Sequence, residues 1–188
     1  GGKLMITPYA PDIVKSFTLP EALANANDDT ARERHSISVV ATPGASYTTT
    51  ETDSEYLVNV ADGVTVSVDK ATCNVTFRYG NDVVLAENGG LINNPGRRTV
   101  KFAAMADDAF YGAGYNGKTT DIGSQSWRMR NTQTGGWNAS WSAPHNICIP
   151  YYLSTNGYGV LFDDHYIDAE MTPSADGSTY STTSANPI

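Results

Sequence analysis

The stretch Val64-Thr-Val-Ser-Val68, followed after Asp69-Lys-Ala-Thr72 by Cys73-Asn-Val-Thr-Phe-Arg-Tyr79, alternates apolar and polar side chains at every step. Successive side chains of a strand point to opposite faces, so positions 64, 66, 68 and then 73, 75, 77, 79 share one covered face while the residues between meet water. A helix would scatter the same residues around its axis. The pattern predicts a β-hairpin on a half-covered sheet.

Shorter runs repeat the signal at turn-separated spacing: Leu4-Met-Ile6, Asp12-Ile-Val-Lys-Ser-Phe17, Ile37-Ser-Val-Val40, Tyr56-Leu-Val-Asn-Val60, Val83-Val-Leu85 and Thr99-Val-Lys-Phe102. A series of short strands of this kind predicts an all-β, antiparallel β-sandwich. Helical structure is expected only as a turn or two within Pro20 to Asp29, where Pro in the first turn precedes Ala, Glu and Leu. The Gly- and Pro-containing stretch from Glu87 to Gly96 is a long connection between sheets. With 188 residues the chain fits a single domain with a sizeable core.

Charge narrows the function classes. A formal net charge of -8 opposes binding to a phosphate backbone, and Arg97-Arg98, Arg128 and Arg130 are too sparse to form a basic patch. No nucleic-acid partner is expected. No run approaches the roughly 20 apolar residues of a membrane span, so no membrane span is expected. Cys73 and Cys148 both fall in apolar strand patterns, where a thiol behaves as a small buried hydrophobe rather than half of a disulfide.

The segment from Asn146 to Asp164, NICIPYYLSTNGYGVLFDD, carries two nearly continuous apolar runs around Thr155-Asn156-Gly157. Runs without alternation predict central strands covered on both faces, with Asn-Gly turning between them. Pro150 then belongs at an edge or a bulge. Before this pair, from Tyr111 to Trp141, lies a long Gly-, Thr-, Asn- and Trp-rich stretch without alternation, a loop of the kind that serves function or covers a neighbour.

These motifs resemble the amino-terminal domain of glycoside hydrolase family 31. Phe110-Tyr-Gly-Ala-Gly114 matches that family's "YGxGE", a Trp-containing loop follows, and Ile149 to Phe162 matches "(I)PFYxSxxGYGVxxxN". Asp12-Ile-Val-Lys15 is similar to its "DIVRV" strand, and Val64 to Glu87 to its hairpin. The resemblance extends over roughly residues 3 to 188 and is most specific from 110 to 164. It implies a β-sandwich of the galactose-mutarotase-like, supersandwich type, packed in the whole enzyme on a (β/α)8 barrel that performs retaining hydrolysis of α-glycosides. The barrel's catalytic residues have no counterpart here, so the expectation is an excised, non-catalytic domain. Its partners would be the barrel of the same polypeptide and an oligosaccharide or α-glycoside substrate. No cofactor is implied, and an exported bacterial enzyme is the expected setting.

Two departures touch specificity. Tyr115 stands where the family has Glu, and no carboxylate follows Trp127 within a few residues. The candidate sugar contacts are therefore Trp127 and Trp137, as platforms for a pyranose face, and Arg130 and Asn131, as partners for its hydroxyls. The alternative is a stand-alone carbohydrate-binding module using the same tryptophans.

Other chemistries fare worse. Asp163 and Asp164 point to opposite faces and cannot act as the paired carboxylates of a glycosidase. Asp107 and Asp108 are expected to hold a turn. His35, His145 and His165 share no spacing that would build a mutarotase acid and base, and Asp163, Asp164 and His165 cannot converge on one metal ion.

Overall fold

A computed structural model describes residues 2–19, 36, 38–89, 92–94, 96–115, 120–130, 147–163 and 169–183. These residues hold strands, turns and bends and no helix. The helix expected within Pro20 to Asp29 lies outside them. Backbone contacts group the chain into two compact units, one running through Gly90 and the other over Leu91–Ser184.

In the first unit, strands β1 (Lys3–Ala10) and β2 (Ile13–Leu19) form an antiparallel hairpin. Strands β3 (Tyr47–Glu51), β4 (Glu55–Val60), β5 (Thr65–Asp69), β6 (Val75–Tyr79) and β7 (Asp82–Ala86) follow as a five-stranded antiparallel meander in chain order. The alternation predicted between residues 64 and 79 is what covers this sheet: Val60, Val64, Val66 and Val75 form its buried cluster. Leu4, Ile6 and Val14 of the hairpin pack on that cluster, with Val58, Val68 and Phe77 from the sheet. Val66 and Val75 are completely buried, each burial contributing about 1.5–3 kcal/mol.

The hairpin is pinned to the sheet by backbone as well. Val64 donates its N–H to the Pro11 carbonyl at 2.8 Å. Gly63 permits this approach, since a Cβ there would stand 1.8 Å from the same oxygen.

Three expectations fail in this unit, the first being that Tyr79 shares the covered face of β6, since it ends the strand 62% exposed. Residues 38–40 form no strand, and Val40 is 97% exposed. So short an apolar run, with no facing strand, leaves Val40 without cover. Cys73 is exposed in a turn at φ 60° rather than buried on β6. Asp69 forces that turn by accepting the N–H groups of Ala71 and Thr72 through Oδ1, which delays the strand to Val75. Both cysteines are free.

The second unit contains two antiparallel sheets. Strands β8 (Ile92–Asn94), β9 (Arg97–Lys101), β11 (Trp127–Arg128), β14 (Glu170–Thr172) and β15 (Thr179–Thr183) make one, in the order β11-β14-β15-β9-β8. Strands β10 (Phe110–Tyr115), β12 (Ile147–Ser154) and β13 (Gly159–Leu161) make the other, with β12 in the middle. An aromatic core joins the sheets: the Phe162 ring stacks on Tyr180 at 4.0 Å and 7°, and Phe110 meets Tyr152 edge to face at 5.5 Å.

Candidate functional site

The three-stranded sheet is built around glycine. Opposite β12, the register slips between Gly112 and Gly114, which pair with Tyr152 and Cys148. Three β12 residues, including Pro150, therefore face the single residue Ala113. Pro150 thus occupies a bulge, as expected of a proline in a central strand. Gly112 (φ 136°) and Gly114 (φ 89°) both need backbone forms that L side chains resist. A Cβ on either would stand 2.5 Å from a β12 carbonyl, that of Tyr151 or of Ile147. The Tyr-Gly-Ala-Gly motif is a packing requirement of this bulge.

At the other end, the Thr155-Asn156-Gly157 turn closes β12 onto β13. Gly157 takes φ 84°, and Ser154 donates its N–H to the Tyr158 carbonyl at 2.8 Å. Asp108 locks the turn by accepting three hydroxyls, from Ser154 at 2.6 Å and from Thr155 and Tyr158 at 3.2 Å. Burial, helped by the Asp108 charge, pushes the Tyr158 hydroxyl up to about 12. Burial also raises the pKa of Tyr152, whose hydroxyl lies near Ser178 and Tyr158 yet makes no hydrogen bond of normal geometry. Asp108 is a structural clasp, in line with the turn role expected for Asp107 and Asp108.

The outer face of this sheet departs from the expectation of strands covered on both sides. Cys148, Tyr152 and Ser154 point into the core, but Ile147, Ile149 and Leu153, which alternate with them, are 53%, 46% and 47% exposed. Tyr111 pairs with Leu153 and Leu161 pairs with Tyr151, and both Tyr111 and Leu161 are exposed. Cross-strand partners share a face. The result is a contiguous apolar surface without a charged side chain at any of its positions. Scattered exposed apolar residues are ordinary, whereas a contiguous patch marks a surface for another body.

The four residues expected to meet sugar fare differently. Trp127 is 1% exposed, and its indole N–H donates to the Ile122 carbonyl at 3.3 Å. It serves as a core anchor at the edge of the five-stranded sheet, with neither ring face open to a pyranose. Arg130 is exposed beyond the end of β11. The backbone here is tied to β12, because the buried Cys148 thiol points at the carbonyls of Arg128 and Arg130, at 3.5 and 3.7 Å. Asn131 and Trp137 lie outside the described residues, as do Trp141, the three histidines and Asp164. Asp163 is exposed. No group of three or more potential metal ligands occurs among the described residues, and no helix long and apolar enough to cross a membrane occurs among them.

Alternation and spacing did not disclose which hydroxyls the Asp108 clasp would hold, nor the open outer face. The clue to the clasp is the concentration of Ser154, Thr155 and Tyr158 around the turn; the clue to the face is the absence of charge at alternate positions from 147 to 161.

Antiparallel sheets stacked through an aromatic core, with a glycine bulge and an Asn-Gly hairpin, define a β-sandwich protein of the galactose-mutarotase-like kind. The chain belongs to the glycosyl hydrolase 31 N-terminal galactose mutarotase-like domain family, whose pattern matches residues 3–166. No curated protein matches its sequence. Among solved structures, a glycoside hydrolase family 31 dextranase from Flavobacterium johnsoniae, complexed with isomaltotriose, superposes with a TM-score of 0.81 at 18% identity over 100% of this chain. A family 31 α-xylosidase from a soil metagenome, complexed with xylose, gives 0.71 at 18% identity over 97% of this chain and 28% of its own. The cycloalternan-forming enzyme of Listeria monocytogenes gives 0.75 at 14% identity, covering 100% of this chain and 18% of its own. The chain spans only 23% of the dextranase. Likeness at these identities establishes the fold.

Proposed function

We propose that the chain is the non-catalytic amino-terminal domain of a retaining α-glycosidase, seated on that enzyme's catalytic barrel. The observation that carries this reading is the uncharged outer face of β10, β12 and β13, with Ile147, Ile149, Leu153 and Leu161 each more than 40% exposed. In a chain of net charge -8 such a face is costly to leave in water and is suited to an apolar partner. The rim loop of about residues 115 to 141 then reaches the sugar site, with Arg130, Asn131 and Trp137 as its contacts. Trp127 acts there only by anchoring the loop. Relatives solved with isomaltotriose and with xylose support a glucose- or xylose-based α-glycoside as substrate of the whole enzyme. Export of that enzyme belongs to the same proposal.

Two measurements test it. An immunoblot of source cells should detect a polypeptide large enough for a barrel of roughly 250 further residues; a band near 20.1 kDa would refute the proposal. In the full-length protein, Leu153→Lys with Ile149→Lys should release the domain to limited proteolysis and reduce hydrolysis of aryl α-glycosides. Unchanged protease resistance would mean that the outer face is not the docking surface. A domain that binds oligosaccharide by itself through Trp137 would favour the binding-module alternative.

A further inference from the structure

The face of the β3–β7 sheet opposite the valine core carries a concavity of about 330 Å3. Its floor is the cross-strand pair Ser67 and Thr76, and its walls include Glu55, Asp69, Asn74 and Glu87. Ser67 and Thr76 alternate with Val66, Val68, Val75 and Phe77, so the period that builds the core also aims these hydroxyls into the hollow.

Some of the lining is already engaged. Asp69 Oδ1 takes the Ala71 and Thr72 N–H groups and the Thr72 hydroxyl, and Glu87 Oε2 takes the Val75 N–H. Other groups are not. Ser67 is 3% exposed, yet its hydroxyl has no hydrogen-bond partner among the described residues. The Asn74 Oδ1 atom is likewise buried and unpaired. Buried polar groups are nearly always satisfied, and the one buried orphan here, Asn74 Oδ1, beside a Ser67 hydroxyl without a protein partner points to a ligand in the hollow.

The lining selects among ligand classes. The Glu55 and Asp69 carboxylates repel phosphates and other anions. A metal ion is disfavoured because no three potential ligands among the described residues close on one point. The walls contribute no aromatic ring for a flat apolar ligand. Acceptors outnumber donors, and hydroxyls and an amide stand beside them, a mixture matched by adjacent O–H groups that both donate and accept. The volume suits one sugar ring. We propose that this concavity binds a single pyranose unit of a neutral carbohydrate, with Ser67, Thr76 and Asn74 hydrogen-bonded to its hydroxyls and Glu55 accepting from them. The site lies wholly in the first unit and does not depend on the docking reading.

Titration of the 15N-labelled chain with methyl α-glucoside, followed by amide chemical shifts, tests this. Saturable shifts are expected at Ser67, Asn74, Val75 and Thr76, with a Kd of about 1 to 10 mM. Thr76→Val keeps a strand-favouring shape and Ser67→Ala removes only the hydroxyl, and each should weaken binding by about tenfold. No saturation below about 100 mM, or shifts unchanged in both variants, would overturn the proposal. Ethylammonium chloride serves as a control. If it shifts the same amides as strongly as the sugar does, the hollow is an electrostatic feature and the carbohydrate assignment is wrong.

Discussion

Glu87 and Val75 are joined twice: the Glu87 N–H donates to the Val75 carbonyl at 2.8 Å, and the Glu87 carboxyl accepts the Val75 N–H at 3.0 Å. A side chain thus supplies the acceptor that would otherwise be the main-chain carbonyl across the ladder. The arrangement closes the β6–β7 pairing, but it holds an acid in a partly desolvated place with Glu55 and Asp69 also lining the hollow.

Burial lifts the Glu87 carboxyl from its ordinary 4.5 to about 7, against the opposing pull of the Val75 N–H. A raised carboxyl pKa means that the fold favours the neutral acid. Its stabilising contribution is full below pH 4.5 and is lost as pH rises through about 7. Relative to Glu87→Gln, the wild type should lose up to about 3 kcal/mol across that window. Urea unfolding at several pH values checks this, and the difference between the two proteins is the quantity to follow. Asp69 works the other way, because its hydrogen bonds from Thr72 and Ala71 lower its pKa. Parallel pH curves for wild type and Glu87→Gln would contradict the assignment.

Gly114→Ala should destabilise the second unit by about 2 kcal/mol or more, because it combines a left-handed backbone with a clash against the Ile147 carbonyl. Gly157→Ala shares the positive φ, but a Cβ there meets nothing within 4 Å. It should cost only about 1 kcal/mol. Thermal melts of the two variants separate strain from clash, and equal losses would show that the bulge tolerates a Cβ.

Two tyrosines on the same hairpin should respond oppositely. Tyr152→Phe removes a buried hydroxyl that makes no hydrogen bond and should be neutral or stabilising by up to about 1 kcal/mol. Tyr158→Phe removes a donor to Asp108 and should cost about 1.5–3 kcal/mol. Denaturant midpoints decide the matter. A loss at Tyr152 as large as that at Tyr158 would mean that its hydroxyl is satisfied in solution.

The cysteines differ in access. Under native conditions one thiol, Cys73, should react with a disulfide reagent, and Cys148 only after unfolding. Cys73→Ser should abolish the native reaction without lowering stability. Two thiols reacting at once would show that the Cys148 strand opens readily.

The sequence disclosed elements wherever burial imposes a period. Tyr79 is 62% exposed, but from Val64 to Phe77 the alternate residues meet the core, so the hairpin could be read directly, with the exception of Cys73. There the Asp69 side chain captures backbone N–H groups and holds the chain in a turn, a local competition that periodicity does not register. Strand β3 left no trace, since Tyr47-Thr-Thr-Thr-Glu51 is exposed along its whole length and has no covered face to impose a pattern. The continuous apolar runs from Ile147 to Phe162 suggested cover on both sides, but composition cannot distinguish a face packed within this unit from one left open on its surface. At the candidate sugar contacts, Trp127 has the same identity whether it anchors a core or presents a platform. Only its hydrogen bond to Ile122 and its burial separate the two roles.

The order of the strands bears on how the molecule forms. In the first unit β3 to β7 each pair with the next strand along the chain, so every pairing closes over a short turn. In the second, β9 pairs with β15, and Thr99 meets Ser181. Closing a long loop carries an entropic penalty that a short turn avoids. During synthesis, which proceeds from the amino end, the meander can be complete while the partner of β9 has not yet been made. Until β15 arrives, Val100 has no Tyr180 against which to pack, and the Phe162 ring has no Tyr180 to stack on. Delays or truncations near residue 180 therefore leave a finished sheet joined to a sticky, half-built one, and aggregation should begin from the latter.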